Sequence, residues 1–322
     1  MLKYNVDLDY VIPPYDISTE ELNDIIDEAD KIIIENNLAP AKLAVAYLKK
    51  AQAMQKLVDC MQHETQEKAQ NEITSSGEDT QSEIKKLIEK ALELSPDMPE
   101  ALMQMGKVFH KTPEPTDEHF LKAIEMYSKA IQLKPDYPAA YNNRANAYDP
   151  DISEFFCSKN SFEDANNING EFLGMLSIYI PDDDDSFKRD SLKAIADYTE
   201  AIRLRPHDPV YYFNRGRRYV ESKEHEKAID DFTALLHYSS DEFKKKLMIS
   251  HQRGQEYMKI KNYEKAIDDF TESMRLCSDK TESLFLRAKS HLLNGEYDKA
   301  KSDLAEYKRL KIEKRMIMVE EV

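Results

Sequence analysis

The sequence predicts an all-α repeat solenoid, and three observations carry that reading. The 322 residues include 7 glycines and no tryptophan. That is about 2% glycine against a usual ~7%, too little for the turns of a many-stranded β protein. A segment recurs along the chain, KAIADYTEAIRLRP at 193–206, KAIDDFTALLHYSS at 227–240 and KAIDDFTESMRLCS at 265–278. Internal self-similarity of this kind marks stacked supersecondary units. Prolines punctuate in pairs three residues apart, Pro96/Pro99, Pro135/Pro138 and Pro206/Pro209. In each pair one proline stops a helix and the other opens the next, because proline is tolerated only in a helix's first turn.

The elements follow in order. Residues 1–39 read as an extended lead-in, with Pro13-Pro14, and a capping helix over Leu22–Ile34. Ser18 and Glu21 stand three apart before it, the spacing of a capping box. Residues 40–98 hold a degenerate first unit. Its A helix runs over about Ala41–Gln55, opened by Pro40, and its B helix over Ser82–Leu94. The polar, glycine-bearing stretch Glu64–Thr80 between them reads as a loop or frayed helix extension. Units at 99–137, 138–208, 209–242 and 243–280 follow, and residues 281–322 form a last unit with a C-terminal helix or tail. Lys111–Glu118, KTPEPTDE, lengthens the turn inside the second unit.

Each recurring segment is preceded by a helix with aromatic flanks and a small residue, YNNRANAY at 141–148, YFNRGRRY at 212–219 and SHQRGQEY at 250–257. Gly216 to Ala228 and Gly254 to Ala266 are each 12 residues, and Gly254 to Ala288 is 34. These residues resemble the tetratricopeptide repeat, a 34-residue helix–turn–helix unit. In that register position 8 is Gly106, Ala145, Gly216, Gly254 and Ala288. Position 20 is Ala123, Ala194, Ala228, Ala266 and Ala300, and position 24 is Tyr127, Tyr198, Phe232, Phe270 and Leu304. Small residues let helices A and B approach, and the large residue at 24 fills the space beside them. The resemblance implies a right-handed α–α superhelix of about six repeats, with insertions.

A second pattern runs inside the repeats. Position 7 is Arg144, Arg215, Arg253 and Arg287, and position 23 is Asp197, Asp231, Asp269 and Asp303. Repeat two has methionine at both places, Met105 and Met126. Joint presence and joint absence predict an Arg–Asp ladder between helices A and B. The alternative is that these arginines line a ligand groove.

The largest departure is an insertion at about 150–186, inside repeat three. An acidic, asparagine-rich stretch leads to the apolar run Phe172–Ile180 and then to Pro181-Asp182-Asp183-Asp184-Asp185. Such an apolar run packs on the solenoid as a flap, docks a partner, or plugs the groove. The aspartate run lacks the D-x-[DN]-x-[DN]-G calcium loop and reads as solvated charge.

Composition excludes several function classes. A count of 61 acidic against 45 basic residues gives a net charge of −16, a field that repels nucleic acid and anionic lipid. Cys60, Cys157 and Cys277 are scattered and odd in number, which indicates neither disulfides nor zinc and suits the cytoplasm. No run approaches the ~18 apolar residues of a membrane span. No nucleotide-binding glycine motif is present, the eight histidines are dispersed, and no nucleophile–base pattern stands out. The expectation is a non-enzyme with no cofactor and no metal.

The resemblance implies binding on the concave face, where positions 2, 5, 6, 9, 12 and 13 of the A helices project. These map onto Asn142, Asn143 and Asn146, then Phe213, Asn214 and Arg217. The series continues with His251, Gln252, Gln255 and Lys259, then Phe285, Leu286 and Lys289. Asparagine and glutamine can both donate to and accept from an extended backbone, and the cations suit an acidic or C-terminal carboxylate feature. Some family members hold chaperone tails through a carboxylate clamp. Here Asn146 and Asn214 stand in place, but Asn142, Met248 and Gln252 replace its basic members, so the clamp is incomplete. The expected function is an adaptor or scaffold for a protein partner. The alternative is a structural subunit packing through convex or terminal surfaces.

Overall fold

The computed structural model describes residues 18–35, 38–66, 74–110, 112, 116–148, 185–240, 248–277 and 280–320. Among these residues the structure is helical, with no strand. The helices are α1 (Thr19–Glu35), α2 (Pro40–Gln66), α3 (Thr74–Leu94), α4 (Pro99–His110), α5 (Asp117–Leu133), α6 (Pro138–Ala147), α7 (Asp185–Leu204), α8 (Pro209–Glu221), α9 (His225–Tyr238), α10 (Ile249–Lys259), α11 (Tyr263–Leu276), α12 (Thr281–Leu293) and α13 (Tyr297–Glu320). Residues 1–161 and 162–322 form two compact units.

In the first unit each helix from α1 to α6 packs on its chain neighbours, and in the second the same holds from α7 to α13, with α4 also meeting α6 and α10 meeting α12. That is the contact pattern of an α-solenoid, where a helix pair buries its apolar stripe only against the pairs before and after it. Prolines open α2, α4, α6 and α8 as the first helical residue. Their missing N–H falls where no intrahelical bond exists.

The N-terminal capping box forms as expected. The Glu21 N–H donates to Ser18 Oγ at 3.2 Å, and the Ser18 N–H donates to Glu21 Oε2 at 2.9 Å. Of the two readings of Glu64–Thr80, loop or helix extension, the described residues show the extension: α2 continues to Gln66 and α3 starts at Thr74. Glutamate, glutamine and lysine are good helix formers, so a polar stretch without proline lets both helices run on. Residues 150–184 of the insertion, including Phe172–Ile180 and Asp182–Asp184, lie outside the described residues, as do the lead-in with Pro13-Pro14 and residues 113–115, and Asp185 opens α7.

Small-to-large packing between helices A and B holds within each unit. A Cβ placed on Gly106 would stand 2.5 Å from the Tyr127 ring, one on Gly216 3.0 Å from Phe232, and one on Gly254 2.9 Å from Phe270. Where the facing residue is the smaller Leu304, position 8 is Ala288. The A–B turns of the last three repeats place one residue in the left-handed region, Lys223 (φ 58°), Lys261 (φ 62°) and Gly295 (φ 81°). The next N–H reaches back to close the helix end, Glu224 to the Tyr219 carbonyl, Asn262 to Tyr257 and Glu296 to His291, each at 2.8 Å.

Candidate functional site

The ladder predicted from positions 7 and 23 is present in the second unit. Arg215 Nε and Nη2 donate to the two oxygens of Asp231 at 2.8 and 2.7 Å. Arg253 does the same to Asp269 at 2.9 and 2.7 Å, and Arg287 to Asp303 at 2.8 Å twice. Burial pushes the carboxyls of Asp231 and Asp269 upward, against the pull of their arginines. For Arg215 and Arg253 burial is the largest single influence and works against the charge, but the hydrogen bond to aspartate and the aspartate's charge together outweigh it and raise both guanidinium values. The fourth expected rung, Arg144 with Asp197, takes one residue from each unit.

Sequence reasoning missed the third arm of each arginine. Nη1 crosses to a hydroxyl in the preceding repeat, Arg215 to Thr199 at 3.0 Å, Arg253 to Thr233 at 2.9 Å and Arg287 to Thr271 at 3.1 Å. Arg144 reaches Ser128 in the same way at 3.0 Å. Each threonine spends its own proton on a backbone carbonyl four residues back, Ile195, Ile229 or Ile267, at 2.7–2.8 Å. A lone pair is thereby left for the arginine. The signal was legible at position 25. It is Ser or Thr wherever the next repeat has arginine, Glu89 where the next has Met105, and Ala305 in the last repeat.

The residues expected on the A-helix face divide by burial. Asn142, Asn143 and Asn146 belong to the first unit and the others to the second. Asn142 is buried, and Asn143 Nδ2 rests on Met103 Sδ at 3.3 Å. Phe213 joins the core with Ala228, Phe232, Leu235 and Ile249, and Asn214 is 2% exposed. His251 is buried too. Gln255 Nε2 donates to its Nε2 at 3.2 Å, which puts the ring proton on Nδ1 for donation to Ser283 Oγ at 2.8 Å. Burial lowers the His251 pKa to about 4, so the ring is neutral. These buried side chains set how one repeat sits on the next. Arg217, Gln252, Gln255 and Leu286 are half-buried, and Lys259, Phe285 and Lys289 are exposed.

Two of the three cations on this face have nearby carboxylates. Arg217 lies 3.9 Å from Glu221, and Lys259 donates to Glu256 at 2.8 Å. Glu256, 2% exposed, also takes His225 Nδ1 at 2.6 Å, which ties α9 to α10.

Two family models match the sequence, "TPR repeat" over residues 120–149 and "Tetratricopeptide repeat" over residues 249–280. The chain carries tetratricopeptide repeats. No curated protein matches it. Among solved structures it is similar to pilF of Pseudomonas aeruginosa at 16% identity, over 92% of this chain and 99% of that one, with a TM-score of 0.49. It is also similar to YrrB, a TPR protein with an unusual peptide-binding site, at 15% identity over 80% and 97% of the two chains, TM-score 0.49. A tetratricopeptide repeat protein from Parabacteroides merdae shares 10% identity over 90% and 87%, TM-score 0.47.

Within these tetratricopeptide repeats the described residues form no cluster of three or more histidine, cysteine, aspartate or glutamate side chains able to hold a metal ion. No described helix is long and apolar enough to cross a membrane.

Proposed function

We propose that this chain is a non-catalytic, cytoplasmic scaffold that holds a protein partner on the A-helix face of its repeats. The partner presents an extended segment with an acidic or carboxylate feature. The observation carrying this reading is the division of labour among the A-helix side chains. Phe213 and the position-7 arginines are spent on packing, while Gln252 and Gln255 are half-buried and Lys259 and Lys289 are exposed. Amides that both donate and accept suit a peptide backbone, and ammonium groups suit carboxylates. The overall charge of −16 disfavours nucleic acid as partner. The test is affinity capture with the Gln255→Ala, Lys259→Ala double variant beside the native chain. A partner lost by the variant while helicity and unfolding midpoint hold supports the scaffold; a partner retained at the native level refutes use of this face.

A second reading, a subunit of a larger assembly, is favoured by one observation. Leu121 and Leu192, both at position 18 of B helices, are 66% and 59% exposed. An assembly subunit keeps its neighbours after the A-helix substitutions and loses them after Leu121→Ser with Leu192→Ser.

A further inference from the structure

In the second unit the residue at position 5 is covered by the A helix that follows. Phe213 packs against Ile249, and His251 bonds Ser283. Phe285 has no such cover among the described residues and is 41% exposed, its ring leaning on Tyr307 at 5.2 Å between centroids. Lys289 and Leu293 follow at i+4 and i+8 on α12, so the three lie along one stripe of the helix. Both are exposed, Leu293 by 49%. Unlike Arg217 and Lys259, Lys289 forms no ion pair among the described residues. Gln255 takes the same repeat position on α10, the helix packed beside α12.

We propose that Phe285, Lys289 and Leu293 form a docking site for an extended segment of a partner protein with the pattern apolar–x–acidic–x–apolar. The geometry sets the spacing. Four residues of α-helix rise about 6 Å, and two residues of extended chain rise about 6.6 Å. Alternate side chains of a segment lying along α12 therefore meet Phe285, Lys289 and Leu293 in turn, with the carboxylate on the ammonium. Gln255 offers an amide to the segment's backbone from the flank. A chain carrying −16 repels an acidic segment over most of its surface, and an uncompensated lysine between two exposed apolar side chains is where such a segment can settle. The assignment deepens the scaffold reading and rests on it.

The test is fluorescence anisotropy on the full chain with a fluorescein-labelled peptide whose core is Leu-Ser-Glu-Ser-Leu. Saturable binding is expected, weakened about tenfold or more by Lys289→Glu and by Phe285→Ser. A peptide with lysine at the central position should recover binding to Lys289→Glu, and a Leu-Ser-Ser-Glu-Ser-Ser-Leu core should bind the native chain about tenfold more weakly. No binding of the first peptide, equal affinity for both spacings, or indifference to Lys289→Glu overturns the proposal. Tighter peptide binding by the Ile152→Ser, Phe156→Ser variant would assign the stripe to the chain's own Ile152-Ser153-Glu154-Phe155-Phe156 and overturn a partner as its occupant. If the peptide tests fail while Gln255→Ala with Lys259→Ala still abolishes capture, the scaffold reading survives without this stripe; if both fail, both fall.

Discussion

Replacing Arg215 by methionine removes both bonds to Asp231, at 2.8 and 2.7 Å, and the bond to Thr199 at 3.0 Å. What remains is a carboxylate only 5% exposed with its countercharge gone. Stranding a buried charge costs about 3–5 kcal/mol. The converse change, Asp231→Met, leaves a guanidinium 17% exposed that keeps its threonine and its place near the Tyr212 and Tyr219 rings, at 6.0 and 5.9 Å. That loss is smaller, about 2–3 kcal/mol for charge-assisted hydrogen bonds. The double change reproduces what repeat two already has, Met105 buried with Met126 packed against it. It should lie within about 1 kcal/mol of the native chain, because a well-packed apolar pair replaces a buried ion pair at little cost. The coupling energy, the double change less the two single ones, is then about 4–8 kcal/mol in magnitude, read from urea midpoints followed by circular dichroism on all four proteins. Hydrogen exchange of the α8 and α9 amides localises the effect. A double variant as unstable as the sum of the two single ones would refute the rung. Swapping the charges, Arg215→Asp with Asp231→Arg, should rescue only in part, since a guanidinium on α9 gives up the bond to Thr199.

Four further outcomes can be checked in the same way. Gly106→Ala gains about 1 kcal/mol of helix propensity, but its Cβ meets the buried Tyr127 ring at 2.5 Å. A net loss of about 1–2 kcal/mol is expected from overpacking, visible as a lower unfolding midpoint and relieved by adding Tyr127→Leu. Tyr127→Phe should raise the midpoint by about 1 kcal/mol, because the Tyr127 hydroxyl is buried with no hydrogen-bond partner among the described residues; a fall in midpoint would mean the hydroxyl is satisfied. Lys261→Gly, at φ 62°, should stabilise by about 1 kcal/mol, since glycine adopts the left-handed region without the Cβ penalty. For His251 the folded value of about 4 lies below the ordinary 6.5. The unfolded chain therefore binds the proton first, and the contribution is complete above pH ~6.5 and lost as pH falls toward 4. The loss is about 3 kcal/mol at most. Urea midpoints across that window should fall for the native chain and flatten for His251→Gln.

How much of this was legible in the sequence varies with the range of the interaction. The repeat, its proline punctuation and the pairing of helix A with helix B could be read because each lives within one 34-residue period. Gly216 and Phe232, or Arg215 and Asp231, are 16 residues apart, and that spacing fixes their meeting once both helices form. The stretch Glu64–Thr80 left loop and helix extension open, since polar composition breaks no helix, and the structure continues the helices to Gln66 and from Thr74.

The A-helix face was only half legible. Spacing places Phe213, His251 and Phe285 in the same position of successive repeats, yet the first two are buried and the third is not. Whether position 5 is core or surface depends on whether another helix follows to cover it, and that is a fact about the stack. Charge, by contrast, was legible: Glu256 stands three residues before Lys259 on one helix, while Phe285, Leu286, Leu292 and Leu293 fill the i±3 and i±4 places around Lys289. The sequence by itself determined the unit, because local spacing dictates which side chains share a helix face. Tertiary structure decided which of those faces remain open, because burial is a property of neighbours that the repeat does not name.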